Sequence, residues 1–452
     1  MNLQQKIDDG SAKICVIGLG YVGLPLAVEY AGAGYQVLGI DVDSSKIAKL
    51  NKGQNYIDDV EGAKLKNLVK AGKLGGASDY QQIAEQDVIF IAVPTPFTAN
   101  KEPDVSYIIS AAEGIATGLR KEQLVILKST TYPETTEKVV QPILEATGLK
   151  TGKDFYLAFS PERIDPGNKK FTTATTPIVV GGVTKKCTKM AAAISRKVIA
   201  EVKELSGPKA AEMTKLLENI FRSVNIALVN ELAQLCDRME GVDIWEVVEA
   251  AGTKPFGFMP FWPGPGIGGH CILVDPYYLS WKAREFDFHT SFIELAALTN
   301  ENMPFYVLDL IIRSLSSQGV PIRDGKILVL GAAFKKNVDD TRNSPAVKLM
   351  ELLYARGSRK LRYNDPWVPV LDVNGKTYRS RKLSPSLLNE ADCVIIATDH
   401  DAYDYDLIVK HAKLIVDTRN ATKNLKAAKR KVVKLGCGTN SYPPESNNRR
   451  EH

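Results

Sequence analysis

Two short segments hold the residues whose types and spacing could do chemistry. The first is Gly264-Pro265-Gly266-Ile267-Gly268-Gly269-His270-Cys271, in which four glycines in six residues lead to a cysteine. Glycine lets backbone approach a ligand closely, so Cys271 would stand at the edge of a space that a small molecule can enter. Asp275-Pro276 reads as the N-cap and first residue of a helix, whose positive end favours a thiolate. A free thiol, with a pKa of about 8.5, is mostly protonated at neutral pH, so such help matters. Buried packing is the commoner fate of a cysteine. Here the glycine cage weighs toward a nucleophile.

The second segment is Gly18-Leu19-Gly20-Tyr21-Val22-Gly23, a G-x-G-x-x-G pattern. Glycine triplets occur by chance, but this one ends an apolar run, KICVIG (13–18), and opens a helical pattern. Asp41 closes the next apolar run, 18 residues after Gly23. Together these make the whole dinucleotide fingerprint. Gly18 makes the turn, Gly20 admits a pyrophosphate against the backbone, and Gly23 lets helix and strand pack. The helix N-terminus faces the phosphates. Asp41 would bind the adenosine ribose and repel a 2′-phosphate, which favours NAD over NADP.

Two weaker patterns lie elsewhere. Lys215 and Asn219 are spaced i, i+4 and share a helix face beside apolar Met213, Leu216, Leu217 and Ile220. The pair borders a buried stripe, and the pattern alone leaves a solvated polar pair equally open. Tyr278 and Lys282 fit Y-x-x-x-K, the pair of short-chain dehydrogenases. That pair accompanies G-x-x-G-x-x-G, which this chain lacks, so the two residues read as helix surface and core.

The elements that must position these residues follow an α/β rhythm. Residues 13–18, 36–41, 87–93, 123–130, 154–162 and 176–182 are strand candidates separated by helical patterns, which implies a parallel sheet. SGPKAAEMTKLLENIFRSVNIALVNELAQLCDRMEG (206–241) instead carries apolar residues at helical spacing, from Pro208 to about Glu240. Such a helix, about 50 Å long at 1.5 Å per residue, is expected to span two domains and contribute to a subunit interface. Strand candidates return at 325–331, 359–365, 391–399 and 412–418. There GAAF follows the first strand in place of the dinucleotide glycines, so a mononucleotide site is expected. The expected fold is thus α/β, with two Rossmann-like doubly wound domains joined by a long central helix. Its regions are a dinucleotide-binding domain (1–205), a helical region carrying the Cys271 loop (206–318), a second Rossmann-like domain (319–440) and a disordered tail (441–452).

Composition narrows the class. The chain has 452 residues, 44% hydrophobic and 24% charged, enough for large cores without a disulfide or a metal. Its six cysteines show no C-x-x-C pair and its five histidines no metal-ligand spacing. Cys15 and Cys393 lie in apolar runs and read as packing. No apolar run reaches a membrane span and no secretory signal opens the chain, so a cytoplasmic location is expected. The net charge of +6 is spread out. Its densest patch, AAKRKVVK (427–434), reads as a solvated helix face, and no nucleic-acid partner is expected.

Several motifs in order, GLGYVGLPLA (18–27), VPTP (93–96), KSTTYP (128–133), SPER (160–163), EMTKLLEN (212–219), GPGIGGHCILVDP (264–276) and AAFKKNVDDTRNSP (332–345), resemble those of the UDP-glucose/GDP-mannose dehydrogenase family. The likeness runs from about residue 13 to 420. The form PGPGIGGHC with DPYYL is most similar to the branch acting on UDP-N-acetylhexosamines, UDP-N-acetylglucosamine first among them. The resemblance implies an NAD-dependent four-electron oxidation of carbon 6 to a uronate. Such a product serves surface polysaccharide, lipopolysaccharide included, and the enzyme would be a homodimer or higher oligomer. It implies that Cys271 forms a thioester, that Glu162 assists its hydrolysis, that Lys215 and Asn219 stabilise developing oxygen charge, and that Asp275 orients water or Lys215. It also implies NAD contacts at Tyr21, Val22, Lys46, Val93, Thr95 and Thr130, with Arg342 near the cofactor. The UDP-sugar would meet Glu162, Arg163, Lys215, Asn219, Gly268, Phe334, Lys335 and Arg419. His270 departs from the serine or alanine common before the cysteine, and TKPFGFMPFWPG (253–264) lacks the arginine that relatives often carry.

Two other readings compete. A two-electron β-hydroxyacid dehydrogenase also joins a Rossmann domain to a helix bearing Lys and Asn, but it needs neither Cys271 nor residues 325–440. An NAD-sensing protein without turnover would have no use for the set Glu162, Lys215, Asn219, Cys271 and Asp275.

Overall fold

The structure, a computed structural model, describes residues 1–57, 60–98, 100–163, 174–269, 272–425 and 431–438. It divides into two compact units, Met1–Glu218 with Tyr277–His289, and Asn219–Pro276 with Thr290–His452.

Among the described residues the first unit carries eight strands: β1 (Lys13–Ile17), β2 (Gln36–Ile40), β3 (Leu74–Ala77), β4 (Val88–Ile91), β5 (Leu124–Leu127), β6 (Tyr156–Phe159), β7 (Ile178–Gly182) and β8 (Val202–Glu204). Their order is β3-β2-β1-β4-β5-β6-β7-β8. β3 to β6 pair in parallel across the sheet, and β7 turns antiparallel to β6. VIFI, LVIL and YLAF in β4, β5 and β6 are buried at every position, the mark of strands covered on both faces. Strand order reverses between β1 and β4, and the crevice beyond their carboxyl ends is where such sheets take ligands. The Gly18–Gly23 turn follows β1, Val93 and Thr95 follow β4, and Thr130 follows β5.

The described residues of the second unit hold five parallel strands, β9 (Lys326–Leu330), β10 (Lys360–Asn364), β13 (Cys393–Ile396), β14 (Ile415–Asp417) and β15 (Val432–Lys434), in the order β10-β9-β13-β14-β15. A hairpin of β11 (Val370–Val373) and β12 (Lys376–Arg379) is inserted after β10. Its turn is Asn374-Gly375, both at positive φ as a tight hairpin requires. β15 corrects the reading of residues 427–434 as a helix face. Val432 and Val433 are buried in the sheet, while 426–430 lie outside the described residues.

The long helix runs Pro208–Cys236, 29 residues and about 44 Å. It ends short of the expected Glu240. Arg238 and Met239 bond back three residues, to Leu235 and Cys236, and tighten the last turn. A Cβ on Gly438 would stand 1.9 Å from the Met239 carbonyl oxygen, so returning chain packs against this end. A second long helix, Ser291–Ser316, follows. Among the described residues no helix is long and apolar enough to cross a membrane.

Candidate active site

The glycine turn of the first unit separates packing from ligand space. Gly18 sits at φ 90°, and a Cβ there would meet Ala92 O at 2.5 Å; one on Gly23 would meet Gly18 O at 1.7 Å. Both glycines are required by the protein itself. Gly20 is not: a Cβ there would touch nothing within 4 Å. Its missing side chain fits a ligand's approach rather than a neighbour's. Val22 precedes the Gly23–Gly32 helix without a side-chain cap, as suits a helix N-terminus that takes a phosphate, and Tyr21 beside it is exposed. Asp41 accepts from Leu19 N at 2.8 Å, Asp43 N at 2.9 Å and Lys46 Nζ at 3.2 Å. The acid therefore braces the turn as well as facing the expected ribose. These residues fit NAD.

Further along the same edge, Ser129 Oγ donates to Val93 O at 2.8 Å, Thr95 is buried and Thr130 half-buried. Tyr278 is fully buried, its hydroxyl donating to the carbonyls of Thr95 and Pro96. Lys282 pairs with Glu134 at 2.9 Å and Glu285 at 2.6 Å. Both ends of the Y-x-x-x-K pattern are thus spent on packing and ion pairs.

Glu162 follows β6 and is buried. Lys128, at the end of β5, holds its ammonium 3.4 Å from Glu162 Oε2. Lys128 was not among the expected site residues. A lysine ending an apolar run reads as a strand terminus, and only the pairing of β5 with β6 brings it to Glu162. Arg163 is committed to protein partners: it pairs with Glu218 and donates to Pro177 O at 2.9 Å.

Lys215 and Asn219 lie one turn apart on the long helix, and both are buried. Within the second unit the Asn219 amide donates to the Asp275 carboxylate. Asp275 is the first helical residue of Asp275–Ala283, one place inside the cap position expected for it. Cys271 and His270 lie outside the described residues. The other five cysteines are all buried, and burial pushes the Cys393 thiol up to about 12.

The glycine loop before Cys271 is packed closely against protein atoms. A Cβ on Gly268 would meet Phe334 Cβ at 2.5 Å, and one on Gly264 would meet Arg419 Nη1 at 2.6 Å. Gly269 N donates to Arg342 O at 3.0 Å, and Asn343 Nδ2 donates to Gly269 O at 3.1 Å. The Arg342 guanidinium pairs with Asp340. The loop thus seats Phe334 and Arg419, two of the expected UDP-sugar contacts. Arg419 Nε donates to Ala397 O at 3.0 Å, and burial pulls this guanidinium below the usual arginine range. A desolvated cation of this kind suits an anionic ligand. Lys335 follows Phe334 on the loop after β9, half-buried.

Comparison with known proteins gives matches along nearly the whole chain. Domains of the UDP-glucose/GDP-mannose dehydrogenase family match in order: the NAD binding domain over residues 12–199, the central domain over 209–302 and the UDP binding domain over 328–424. The chain is 37% identical over 417 residues to a UDP-N-acetyl-D-mannosamine dehydrogenase of Pyrococcus horikoshii, covering 91% of this chain and 96% of that one. It is 36% identical over 393 residues to a UDP-N-acetyl-D-glucosamine 6-dehydrogenase of Pseudomonas aeruginosa, covering 86% and 91%. Among solved structures, the UDP-D-ManNAc dehydrogenase of P. horikoshii aligns with a TM-score of 0.86 at 34% identity, over 94% of this chain and all of that one.

Proposed function

Since the chain belongs to the UDP-glucose/GDP-mannose dehydrogenase family, we propose that it oxidises carbon 6 of a UDP-N-acetylhexosamine to the carboxylate through a thioester on Cys271. The observation that carries the sugar class is the likeness, over about nine-tenths of each chain, to two enzymes named for UDP-N-acetylhexosamines. NAD supplies the hydride acceptor, twice per sugar.

The alcohol first loses hydride and a proton to become an aldehyde. Cys271 adds as thiolate to that carbon, and Lys215 and Asn219 meet the charge on its oxygen. Loss of the second hydride from the thiohemiacetal leaves a thioester. Water, deprotonated by Glu162, displaces the thiol and frees the carboxylate. The hydrogen bond from Asn219 to Asp275 supports a role for Asp275 in fixing the Asn219 amide. Arg419 and Lys335 take the diphosphate side of the substrate.

UDP-N-acetylglucosamine is the substrate we expect first, a reading supported by the likeness to the P. aeruginosa enzyme. UDP-N-acetylmannosamine, its epimer at carbon 2, is the second reading, favoured by the P. horikoshii likeness. Incubation with NAD and a panel of UDP-sugars, counting NADH per sugar consumed, decides between them. Two NADH with one N-acetylhexosamine and none with UDP-glucose is the expected result. One NADH per sugar would point to a two-electron enzyme, and none with any sugar to a sensor. The uronate would feed surface polysaccharide. The working form is a homodimer, an inference supported by exposed apolar residues on the two long helices, Phe221, Leu228, Leu232 and Leu235 on one and Phe292, Leu295, Leu298 and Phe305 on the other.

A further inference from the structure

The two units repeat one turn. In the first, left-handed Gly18 donates to Ile40 O at 2.7 Å, and Asp41, after β2, accepts from Leu19 N and Asp43 N. In the second, left-handed Gly331 donates to Asn364 O at 2.9 Å. Asp365, after β10, accepts from Ala332 N at 2.7 Å, Ala333 N at 3.0 Å and Trp367 N at 2.8 Å. Strand, glycine and acid are the same device.

What occupies the acid differs. Nε2 of His400 lies 3.0 Å from Asp365 Oδ2, and the Trp367 ring stacks on the imidazole with centroids 4.6 Å apart. Both His400 and Asp365 are sealed from solvent. The place where a dinucleotide ribose would approach is filled by the protein. The other ring nitrogen, Nδ1, accepts the N–H of Asn337 at 2.9 Å. A nitrogen that accepts carries no proton, so the proton sits on Nε2, directed at Asp365, and the ring is neutral.

Asn337, itself left-handed at φ 61°, lies in the loop that carries Phe334 and Lys335. Its amide group exchanges hydrogen bonds with Asp401, at 2.5 Å to the carboxylate and 3.1 Å from the backbone N–H, and Lys336 pairs with the same carboxylate at 3.2 Å. His400 therefore ties this loop to the sheet through one buried acceptor.

We propose that His400 is a positioning residue for nucleoside-diphosphate binding: a neutral imidazole, held between Asp365 and the Asn337 N–H, it fixes the loop that presents Lys335. The proposal rests on the reading of Lys335 as a contact of the UDP-sugar. His400→Leu removes both ring nitrogens, while His400→Asn restores a carbonyl oxygen near the Nδ1 position. In the full-length enzyme, His400→Leu is expected to weaken binding of UDP about tenfold by calorimetry and to raise KM for the UDP-sugar in step. The Kd for NAD stays at the wild-type value, and His400→Asn recovers most of the loss. Wild-type UDP affinity in His400→Leu overturns the proposal while leaving Lys335 its role. Failure of the wild-type enzyme to bind UDP overturns the reading of Lys335, and the proposal with it. Should the leucine variant not fold, long-range 1H–15N spectra of the wild type report the tautomer directly. A proton on Nε2 alone is expected, and an imidazolium or a proton on Nδ1 overturns the proposal.

Discussion

The Lys128 ammonium stands 3.4 Å from Oε2 of Glu162, with both side chains buried. A buried carboxylate without its counter-charge is costly, so Lys128 both stabilises this corner of the first unit and keeps the proposed base in place. In the proposed mechanism both hydride losses precede thioester hydrolysis. Lys128→Met should therefore give a burst of two NADH per site followed by a steady rate about 10- to 100-fold below wild type. Stopped-flow absorbance reads both phases. An unchanged steady rate in a folded variant would remove Lys128 from the mechanism.

The turn glycines make a paired test of packing against binding. Gly23→Ala drives a methyl into the Gly18 carbonyl oxygen and should cost about 3 kcal/mol of stability or prevent folding. Gly20→Ala meets no protein atom within 4 Å. It should leave Tm near the wild-type value while weakening NAD at least about tenfold, since its methyl would enter the space for the pyrophosphate. Unimpaired NAD binding by Gly20→Ala would assign that space to something else.

Glu134 is one contributor to acid stability. Hydrogen bonds from Lys138 and Lys282, at 2.6 and 2.9 Å, hold the Glu134 carboxyl down to about 2, from 4.5. A depressed carboxyl stabilises the fold above its unfolded pKa, and that contribution fades as pH falls through the folded value. The Tm advantage of wild type over Glu134→Gln should therefore be full above pH 4.5 and shrink toward pH 2. A difference independent of pH would refute the assignment.

Much of this architecture is legible in residue order, because β1, β2, β4, β5 and β6 are apolar runs bounded by punctuation. β3 is not, since LGGA spends two of four positions on glycine and has no alternation to read. β15 is hidden at the end of a run of positive charge. The Asn374-Gly375 hairpin carries its own local signal, an antiparallel interruption in a rhythm of parallel strands. Gly18, Gly23 and Asp41 are legible because their spacing is local. Lys128 with Glu162, and His400 with Asp365, are not, because each pair is 34 or 35 residues apart and meets only where separate strands end on the same edge of a sheet, β5 beside β6 in the first case and β10 and β13 on either side of β9 in the second.

Assembly can be tested on the long helices. Phe292 is 80% exposed and Leu228 54%, each within a stripe of exposed apolar side chains. Sedimentation at micromolar concentration should show at least a dimer. Leu228→Glu combined with Phe292→Glu should shift it to monomer. A wild-type monomer would leave these faces to another partner.

The covalent route is tested most directly by the mass of the Cys271 peptide from Glu162→Gln enzyme, quenched in acid during turnover with NAD and the preferred UDP-N-acetylhexosamine. With the base removed, the thioester is formed but not hydrolysed, so the peptide should carry the added mass of the nucleotide-sugar acyl group, with two NADH released per modified site. An unmodified Cys271 peptide, from enzyme still producing two NADH per sugar, would contradict the account and leave Cys271 outside the chemistry.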